Sequence, residues 1–206
     1  MAIINLSDEE IALKLSQALV SEVDVLAMEF PPHSGIYQEN PQPAAVLIPL
    51  TRKNDQLHII FTKRTQTLPE HSGQVAFPGG QCDPQDHNRE ATALRESKEE
   101  IGLEPKDVKI LGRLNDFLTV TNYQVTPIVG MIQWPYSFRI SYEEVSKVFT
   151  IPFDWLAETG HYEIRKRVLP PPYGKVPVIF FNEYDDEVLW GASARMTLHL
   201  VNILLK

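Results

Sequence analysis

Three glutamates in one short segment could hold a divalent cation. The segment Arg95-Glu96-Ser97-Lys98-Glu99-Glu100 follows a polar stretch rich in Asp, Asn and Pro and precedes Gly102, which is typical of a helix ending at glycine. At about 100° per residue, Glu96, Glu99 and Glu100 fall within roughly a third of the helix circumference. Like charges at these spacings repel one another, and bound Mg²⁺ or Mn²⁺, which prefers oxygen ligands, would remove that repulsion. The sequence therefore predicts a metal site on this helix face.

The arginine next to these glutamates has a predicted catalytic role. Arg95 precedes Glu96 and lies one turn before Glu99, so it can pair with these carboxylates and orient them. The alternative is a solvated acidic helix face with an ordinary surface ion pair. The run Arg-Glu-x-x-Glu-Glu, taken by itself, is compatible with both interpretations.

The residues around this helix resemble the signature of the Nudix hydrolases. That pattern is Gly, five residues, Glu, seven residues, Arg-Glu, an apolar residue, any residue, Glu-Glu, any residue, Gly and an apolar residue. The matching positions are Gly80, Arg95, Glu96, Glu99, Glu100, Gly102 and Leu103. Two positions depart from the pattern: Asp86 replaces the first Glu, with one extra residue before the Arg, and Ser97 replaces the small apolar residue.

An upstream run is similar to the additional signature of the coenzyme A diphosphatase branch of that family. It consists of Thr62-Lys63-Arg64 and of residues 71–80, followed by an Asp-Pro-x-Asp loop. The resemblance implies Mg²⁺- or Mn²⁺-dependent cleavage of coenzyme A or a derivative to 3′,5′-ADP and 4′-phosphopantetheine or its acyl form. One alternative is a Nudix activity on another nucleoside diphosphate derivative, such as ADP-ribose or a nucleotide sugar. The other is a non-catalytic nucleotide-binding regulatory module.

The predicted substrate contacts lie in the same run. Lys63 and Arg64 could hold phosphates by charge-assisted hydrogen bonds, or could be ordinary solvated charges. His71 could contact the substrate, cap a turn or be exposed. The glycines predicted to contact the substrate are Gly73, Gly79 and Gly80. Glycine allows positive φ and a close approach of backbone to a ligand, although an ordinary turn has the same requirement.

Two glutamates are candidates for the base that accepts the proton of the attacking water. One is Glu99, which is also a predicted metal ligand. The other is Glu144, because Nudix enzymes often carry a further acidic residue in a comparable late loop. Ser141 and Glu144 also have the spacing of a capping box and could simply begin a helix. The sequence does not choose between these two bases.

Composition restricts the class of protein. A chain of 206 residues with 43% apolar content can form one core, so we expect a single domain over 1–206, with an N-terminal helix and a loop-rich lead-in at 1–43. A net charge of -8 argues against a general nucleic-acid binder. No stretch approaches the roughly 20 apolar residues of a membrane span. The expected partner is therefore a small molecule, with no prediction of oligomeric state.

The single cysteine, Cys82, excludes an internal disulfide framework and is typical of a reducing compartment. We therefore expect a cytoplasmic protein.

Hydrophobic periodicity predicts alternating strands and helices. The predicted strands are 44–50, 57–62, 74–78, 108–114, 125–132, 162–167 and 176–181. The predicted helices are 7–19, the glutamate helix ending at Gly102, 142–149 and 192–205. Strands with helices before, between and after them indicate a layered α/β domain. The Nudix resemblance implies an α/β/α sandwich around a mixed β-sheet.

Overall fold

The structure is a computed structural model that describes residues 6–20, 40–67, 72–169 and 174–206. The helices are α1 (Asp8–Val20), α2 (Arg89–Ile101), α3 (Phe153–Leu156) and α4 (Gly191–Leu205). The strands are β1 (Gln42–Lys53), β2 (Gln56–Arg64), β3 (Val75–Ala76), β4 (Gly79–Gln81), β5 (Val108–Arg113), β6 (Phe117–Leu118), β7 (Tyr123–Ile132), β8 (Val145–Pro152), β9 (Tyr162–Leu169) and β10 (Gly174–Phe181). Two 3₁₀ turns lie at Pro105–Asp107 and Thr159–His161.

The first helix begins where the sequence predicts it. The Ser7 backbone N–H donates to Glu10 Oε2 at 2.7 Å, and the Glu10 N–H donates to Ser7 Oγ at 3.2 Å. This reciprocal pair satisfies two backbone donors that the first turn leaves without partners. Ile11 and Leu15 are fully buried and attach α1 to the sheet.

Among the described strands, eight form one mixed sheet around β1. Its main path is β3-β2-β1-β7-β5, and β4, β6 and β8 pair with β1, β7 and β2. β1 and β7 run parallel, from Gln42 opposite Tyr123 to Thr51 opposite Ile132, whereas the other described pairings in this sheet are antiparallel. β9 and β10 form a separate antiparallel pair.

Side chains of β1 and β2 alternate between two cores, as strand geometry requires. Ile48 and Phe61 pack in a core that includes residues of α1 and α4. Leu47 and Ile60 pack in a second core that includes Ala93 and other residues of α2. Helices therefore cover both faces of the mixed sheet, and the predicted α/β/α sandwich is confirmed.

The predicted strand at 74–78 is shortened to β3 (Val75–Ala76), and a second short strand, β4 (Gly79–Gln81), follows it. β1 and β2 pair with each other from Leu50 opposite Ile59 to Lys53 opposite Gln56. At the ends of β1 and β2 away from this hairpin turn, β3 pairs with β2 and β4 pairs with β1. The glycine pair therefore lies within a strand of the sheet.

The predicted helix at 142–149 is wrong. The backbone N–H groups of Glu144 and Val145 both donate to Ser141 O, at 3.0 and 2.9 Å, and this turn leads into β8, which pairs with β2. The run Val145–Pro152 is rich in β-branched residues, which favour a half-buried strand. The spacing of Ser141 and Glu144 therefore marks a turn before a strand.

The last predicted helix is confirmed as α4 (Gly191–Leu205). Ala194, Leu198 and Val201 are buried as expected, whereas Leu205 is exposed. No helix in the described part of the chain is both long enough and apolar enough to span a membrane.

Candidate active site

The glutamates lie in the last two turns of α2, which is capped at both ends. Asn88 Oδ1 accepts from the Ala91 N–H at 2.8 Å. At the other end Gly102 has φ 66°, and its N–H donates to Lys98 O at 2.9 Å. A left-handed residue at this position favours glycine. The predicted end of the helix is confirmed.

The three glutamates differ in exposure. Glu100 is buried, with 3% of its surface exposed, Glu96 is half-buried, and the side chain of Glu99 is 57% exposed. A buried carboxylate is costly unless it is paired or hydrogen-bonded. Glu100 Oε2 accepts from the Gly79 N–H at 3.3 Å, and its Oε1 lies 3.7 Å from Arg64 Nη1. The interpretation of this face as wholly solvated is therefore wrong.

Electrostatics at Glu100 favour a bound cation. Burial raises the pKa of Glu100 to about 8; the Arg64 charge opposes this shift, and Glu144 and Glu96 add to it. Burial also raises the pKa of Glu96, and Arg95 opposes that shift. A divalent cation placed among these groups would offset the burial and the mutual repulsion.

Arg95 connects the glutamate helix to the preceding loop. Its Nη1 donates to Glu96 Oε1 at 2.8 Å and to Glu99 Oε2 at 3.1 Å. Its Nε and Nη2 donate to the two carboxylate oxygens of Asp86, at 3.1 and 3.0 Å, and Nη2 also donates to Gln81 O. These hydrogen bonds fix the guanidinium and, through it, two of the carboxylates.

Both departures from the Nudix pattern have a structural explanation. Asp86 replaces the first Glu and accepts from Arg95, from Thr92 Oγ1 at 2.8 Å and from the Asp83 N–H at 2.9 Å. The Arg95 hydrogen bonds lower the pKa of Asp86 to about 2. Ser97 replaces the apolar residue and is buried, and its Oγ donates to Ala93 O at 2.6 Å. Its hydroxyl is therefore satisfied within the helix.

The glycine pair allows the sheet to approach α2. Gly79 has φ 155°, and a Cβ there would collide with the Ala45 carbonyl oxygen. A Cβ on Gly80 would lie 2.6 Å from the carboxyl carbon of Glu96. The backbone of β1 therefore requires glycine at Gly79, whereas at Gly80 the Glu96 carboxylate occupies the place of a side chain.

The predicted pair Lys63 and Arg64 is separated by the sheet. Arg64 points to Glu100 on α2, whereas Lys63 Nζ lies 2.9 Å from both carboxylate oxygens of Glu187, just before α4. Successive residues of a strand face opposite sides, and this signal was available in the sequence. No local sequence signal indicated Glu187.

The loop that carries Glu144 is fixed against both α2 and β2. The Ser141 N–H donates to Glu100 O at 2.8 Å, and the Thr65 N–H donates to Glu144 O at 2.9 Å. The Glu144 charge raises the pKa of both Glu96 and Glu100. The structure therefore brings Glu144 into the electrostatic environment of the glutamate helix.

The remaining predicted contacts are less central. Gly73 has φ 67°, and its N–H donates to Thr65 O at 3.2 Å, so it occupies a turn that requires glycine beside β2. His71 lies outside the described residues, and the predicted lead-in lies largely outside them as well.

The donor set fits a hard divalent cation. Within the described ranges, no three carboxylate, imidazole or thiol groups are already gathered closely enough to hold a metal ion, and Arg95 Nη1 donates to one oxygen each of Glu96 and Glu99. Glu96, Glu99 and Glu100 nevertheless present oxygen donors on adjoining turns, and the buried Glu100 has a raised pKa. Carboxylate oxygens are the ligands that Mg²⁺ and Mn²⁺ prefer.

Comparisons with known proteins agree with this geometry. The NUDIX domain model matches residues 41–170. The chain is 39% identical over 158 residues to the uncharacterized Nudix hydrolase NudL of Escherichia coli K12, covering 75% of this chain and 79% of that protein. NudL of Shigella boydii serotype 18 gives the same values.

One solved structure is similar over nearly the whole chain. It is a MutT/nudix family protein from Enterococcus faecalis, which matches with a TM-score of 0.54 and 16% identity over 97% of this chain and 74% of that one. At this level of identity the likeness concerns the fold alone.

Proposed function

The chain belongs to the NUDIX domain family and is a pyrophosphohydrolase acting on phosphoric anhydrides, and within this activity we propose that it hydrolyses the diphosphate of coenzyme A or its derivatives. The products are 3′,5′-ADP and 4′-phosphopantetheine or its acyl form. The substrate proposal is supported by the run at 62–64 and 71–80, which resembles the signature of the coenzyme A diphosphatase branch.

The observation that carries the proposal is the meeting of Glu100, Gly79 and Arg64. The buried carboxylate of Glu100 accepts from the Gly79 N–H at 3.3 Å, and its other oxygen lies 3.7 Å from the Arg64 guanidinium at the end of β2. Arg64 Nε is buried and has no hydrogen-bond partner among the described residues. A phosphate oxygen would satisfy that donor, since guanidinium groups match phosphate geometry. We therefore place Arg64, rather than Lys63, beside the diphosphate.

Glu96, Glu99 and Glu100 are the proposed ligands of Mg²⁺ or Mn²⁺, which when bound would polarise the phosphoryl oxygens and lower the pKa of the attacking water. Arg95 orients Glu96 and Glu99. Glu99 and Glu144 are both exposed beside the buried Glu100, and one of them accepts the water proton. Gly73, Gly79 and Gly80 allow the backbone to come close to the substrate.

The proposal is tested by measuring kcat/KM for a panel of diphosphates with Mg²⁺ and with Mn²⁺. The panel contains coenzyme A, an acyl derivative, dephospho-coenzyme A, ADP-ribose and a nucleotide sugar. We expect coenzyme A or its acyl derivative to give the highest kcat/KM and to release 3′,5′-ADP. A preference for ADP-ribose would overturn the substrate assignment. Cleavage of no member of the panel would likewise overturn the coenzyme A assignment.

We also place the activity in the cytoplasm, because a chain with one cysteine cannot form an internal disulfide and fits a reducing compartment.

A further inference from the structure

Two lysines face each other across β2 and β8, on the sheet face opposite to α2. Lys63 is the direct cross-strand partner of Lys147, and like charges in this arrangement destabilise a sheet. Glu187 lies between them: its carboxylate is 2.9 Å from Lys63 Nζ and 3.6 Å from Lys147 Nζ. Only 7% of Glu187 is exposed. One buried carboxylate therefore contacts both lysines at the end of β2, and Lys147 also pairs with Asp185 at 3.0 Å.

The backbone that carries Glu187 is held by a tight turn. The Tyr184 N–H donates to Glu187 O at 2.9 Å, and the Glu187 N–H donates to Tyr184 O at 3.0 Å. Asp185 and Asp186 between them have φ 53° and 61°, as in the two-residue turns of β-hairpins. This turn lies beyond the residues 41–170 that the family model matches. The family signature therefore contains no information about Glu187.

A β-bulge begins at the lysine pair. Lys63 lies opposite Lys147, but Arg64 lies opposite Val145, so Ser146 is the extra residue. Ser146 Oγ donates to Lys63 O at 3.1 Å. Bulges redirect a side chain and are common next to active sites. The bulge lies on β8 directly beside Arg64.

We propose that Glu187 is a positioning residue for the active site. By holding Lys63 and Lys147 together it fixes the end of β2 beside the bulge, and with it the backbone from which the Arg64 side chain extends to Glu100 on the opposite face. Lys63 accordingly acts from the sheet face opposite to Glu100, without contacting the phosphate. The inference rests on the proposed function in one respect, which is that Arg64 is the group that binds the diphosphate.

The first test measures amide hydrogen exchange in the metal-free protein by NMR. The Arg64 N–H donates to Gln74 O at 3.0 Å and the Thr65 N–H donates to Glu144 O at 2.9 Å, so both amides report on the end of β2. Glu187→Gln keeps the shape of the side chain and removes its charge. We expect faster exchange of these two amides in Glu187→Gln. Unchanged exchange would overturn the inference, whatever the protein hydrolyses.

A matched control lies in the same turn. The side chain of Asp185 is 59% exposed and pairs with Lys147 at 3.0 Å, so Asp185→Asn removes a carboxylate from the same turn without uncovering a buried charge. We expect wild-type exchange at Arg64 and Thr65 in this control. Should Glu187→Gln fail to fold, Lys63→Met tests the same contact from its other side, with the same expected increase in exchange.

The second test separates positioning from general stability by a double-mutant cycle. We expect Glu187→Gln to lower kcat/KM by about 10–100-fold, as is typical when a residue that orients an active-site group is removed. In an Arg64→Ala background the same substitution should have much less effect, because its target is already absent. An equal loss in both backgrounds would overturn the role of Glu187. Faster exchange without cleavage of any coenzyme A substrate would overturn only the proposed function.

Discussion

The carboxylate of Glu96 lies directly against the α-carbon of Gly80. A Cβ on Gly80 would come within 2.6 Å of the carboxyl carbon and of Oε1 of Glu96, which is far inside a van der Waals contact. The space that this glycine leaves open is therefore occupied by the carboxylate of a proposed metal ligand, and the backbone of β4 lies directly beside the proposed metal site.

Gly80→Ala should impair catalysis more than folding. The obstacle to the new methyl group is the far end of a flexible side chain, so Glu96 can move aside at small cost in stability but loses its position. We expect kcat to fall by about 10–100-fold with little change in the free energy of unfolding. Gly160→Ala is the matched control, because a Cβ at Gly160 meets nothing within 4 Å. Equal kcat in the two variants would contradict the assignment of Glu96.

Glu100→Gln should lose activity without losing stability. The substitution keeps the shape of the side chain and removes a carboxyl group whose pKa burial raises from 4.5 to about 8. A carboxyl pKa raised in this way costs the folded state stability above pH 4.5. We expect kcat to fall by roughly 10³ or more, while urea unfolding of the metal-free variant shows equal or greater stability than wild type. Glu104→Gln, at an exposed neighbouring carboxylate that pairs with Lys98, should leave kcat unchanged. Wild-type turnover in Glu100→Gln would point to another site.

Asp86→Asn should change the acid sensitivity of the fold. The Arg95 hydrogen bonds lower the pKa of Asp86 from 3.8 to about 2. The ionised carboxylate therefore stabilises the folded state above pH 3.8, and this contribution is lost as the pH falls toward 2. We expect the variant to lose about 1 kcal/mol at neutral pH and to show a smaller further loss in acid, measured by urea unfolding across that range.

The control for this prediction is Asp83→Asn in the same loop. Asp83 is exposed, and its side chain accepts from the local Gln85 N–H at 2.8 Å. Its replacement should leave the stability near that of wild type. An Asp86→Asn protein as stable as wild type at neutral pH would show that the Arg95 contact contributes nothing to folding.

His58 should make the fold less stable below neutral pH. Burial lowers the pKa of His58, the Lys53 charge lowers it further and Asp154 opposes the shift. Because the folded-state pKa lies below the ordinary 6.5, the unfolded chain binds more protons and stability falls as the pH drops through that value. His58→Gln should weaken this decline, measured as the wild-type minus variant difference in unfolding free energy at several pH values. If the difference in unfolding free energy between wild type and His58→Gln did not change with pH, the prediction would be wrong.

Local signals were sufficient to predict the elements that carry the metal ligands. The Ser7 and Glu10 spacing located the start of α1, and Gly102 located the end of α2, because caps depend on residues within one turn. The positions of Glu96 and Glu100 on one helix followed from the same periodicity. Burial of Glu100 did not, since it depends on the sheet strand that carries Gly79, 21 residues earlier.

Pairing between distant strands explains the errors. Periodicity predicts a helix at 142–149, and the capping-box spacing of Ser141 and Glu144 is compatible with its start, whereas pairing of β8 with β2 decides the structure of this segment. The separation of Lys63 from Arg64 follows from strand alternation, which the motif-based interpretation overlooked. The contact of Lys63 with Glu187 spans 124 residues and has no counterpart in any local pattern.

The parallel pairing of β1 with β7 has a consequence for how the chain acquires its structure. Thr51 and Ile132, at one end of this pairing, are 81 residues apart, and α2 lies in the crossover between the two strands. A nascent chain that has not yet emerged beyond β7 lacks the parallel neighbour of β1, although β2 and β4 are already present. Because closing such a long loop precedes the gain from its contacts, we expect the glutamates to reach their final surroundings only late in folding, together with the core.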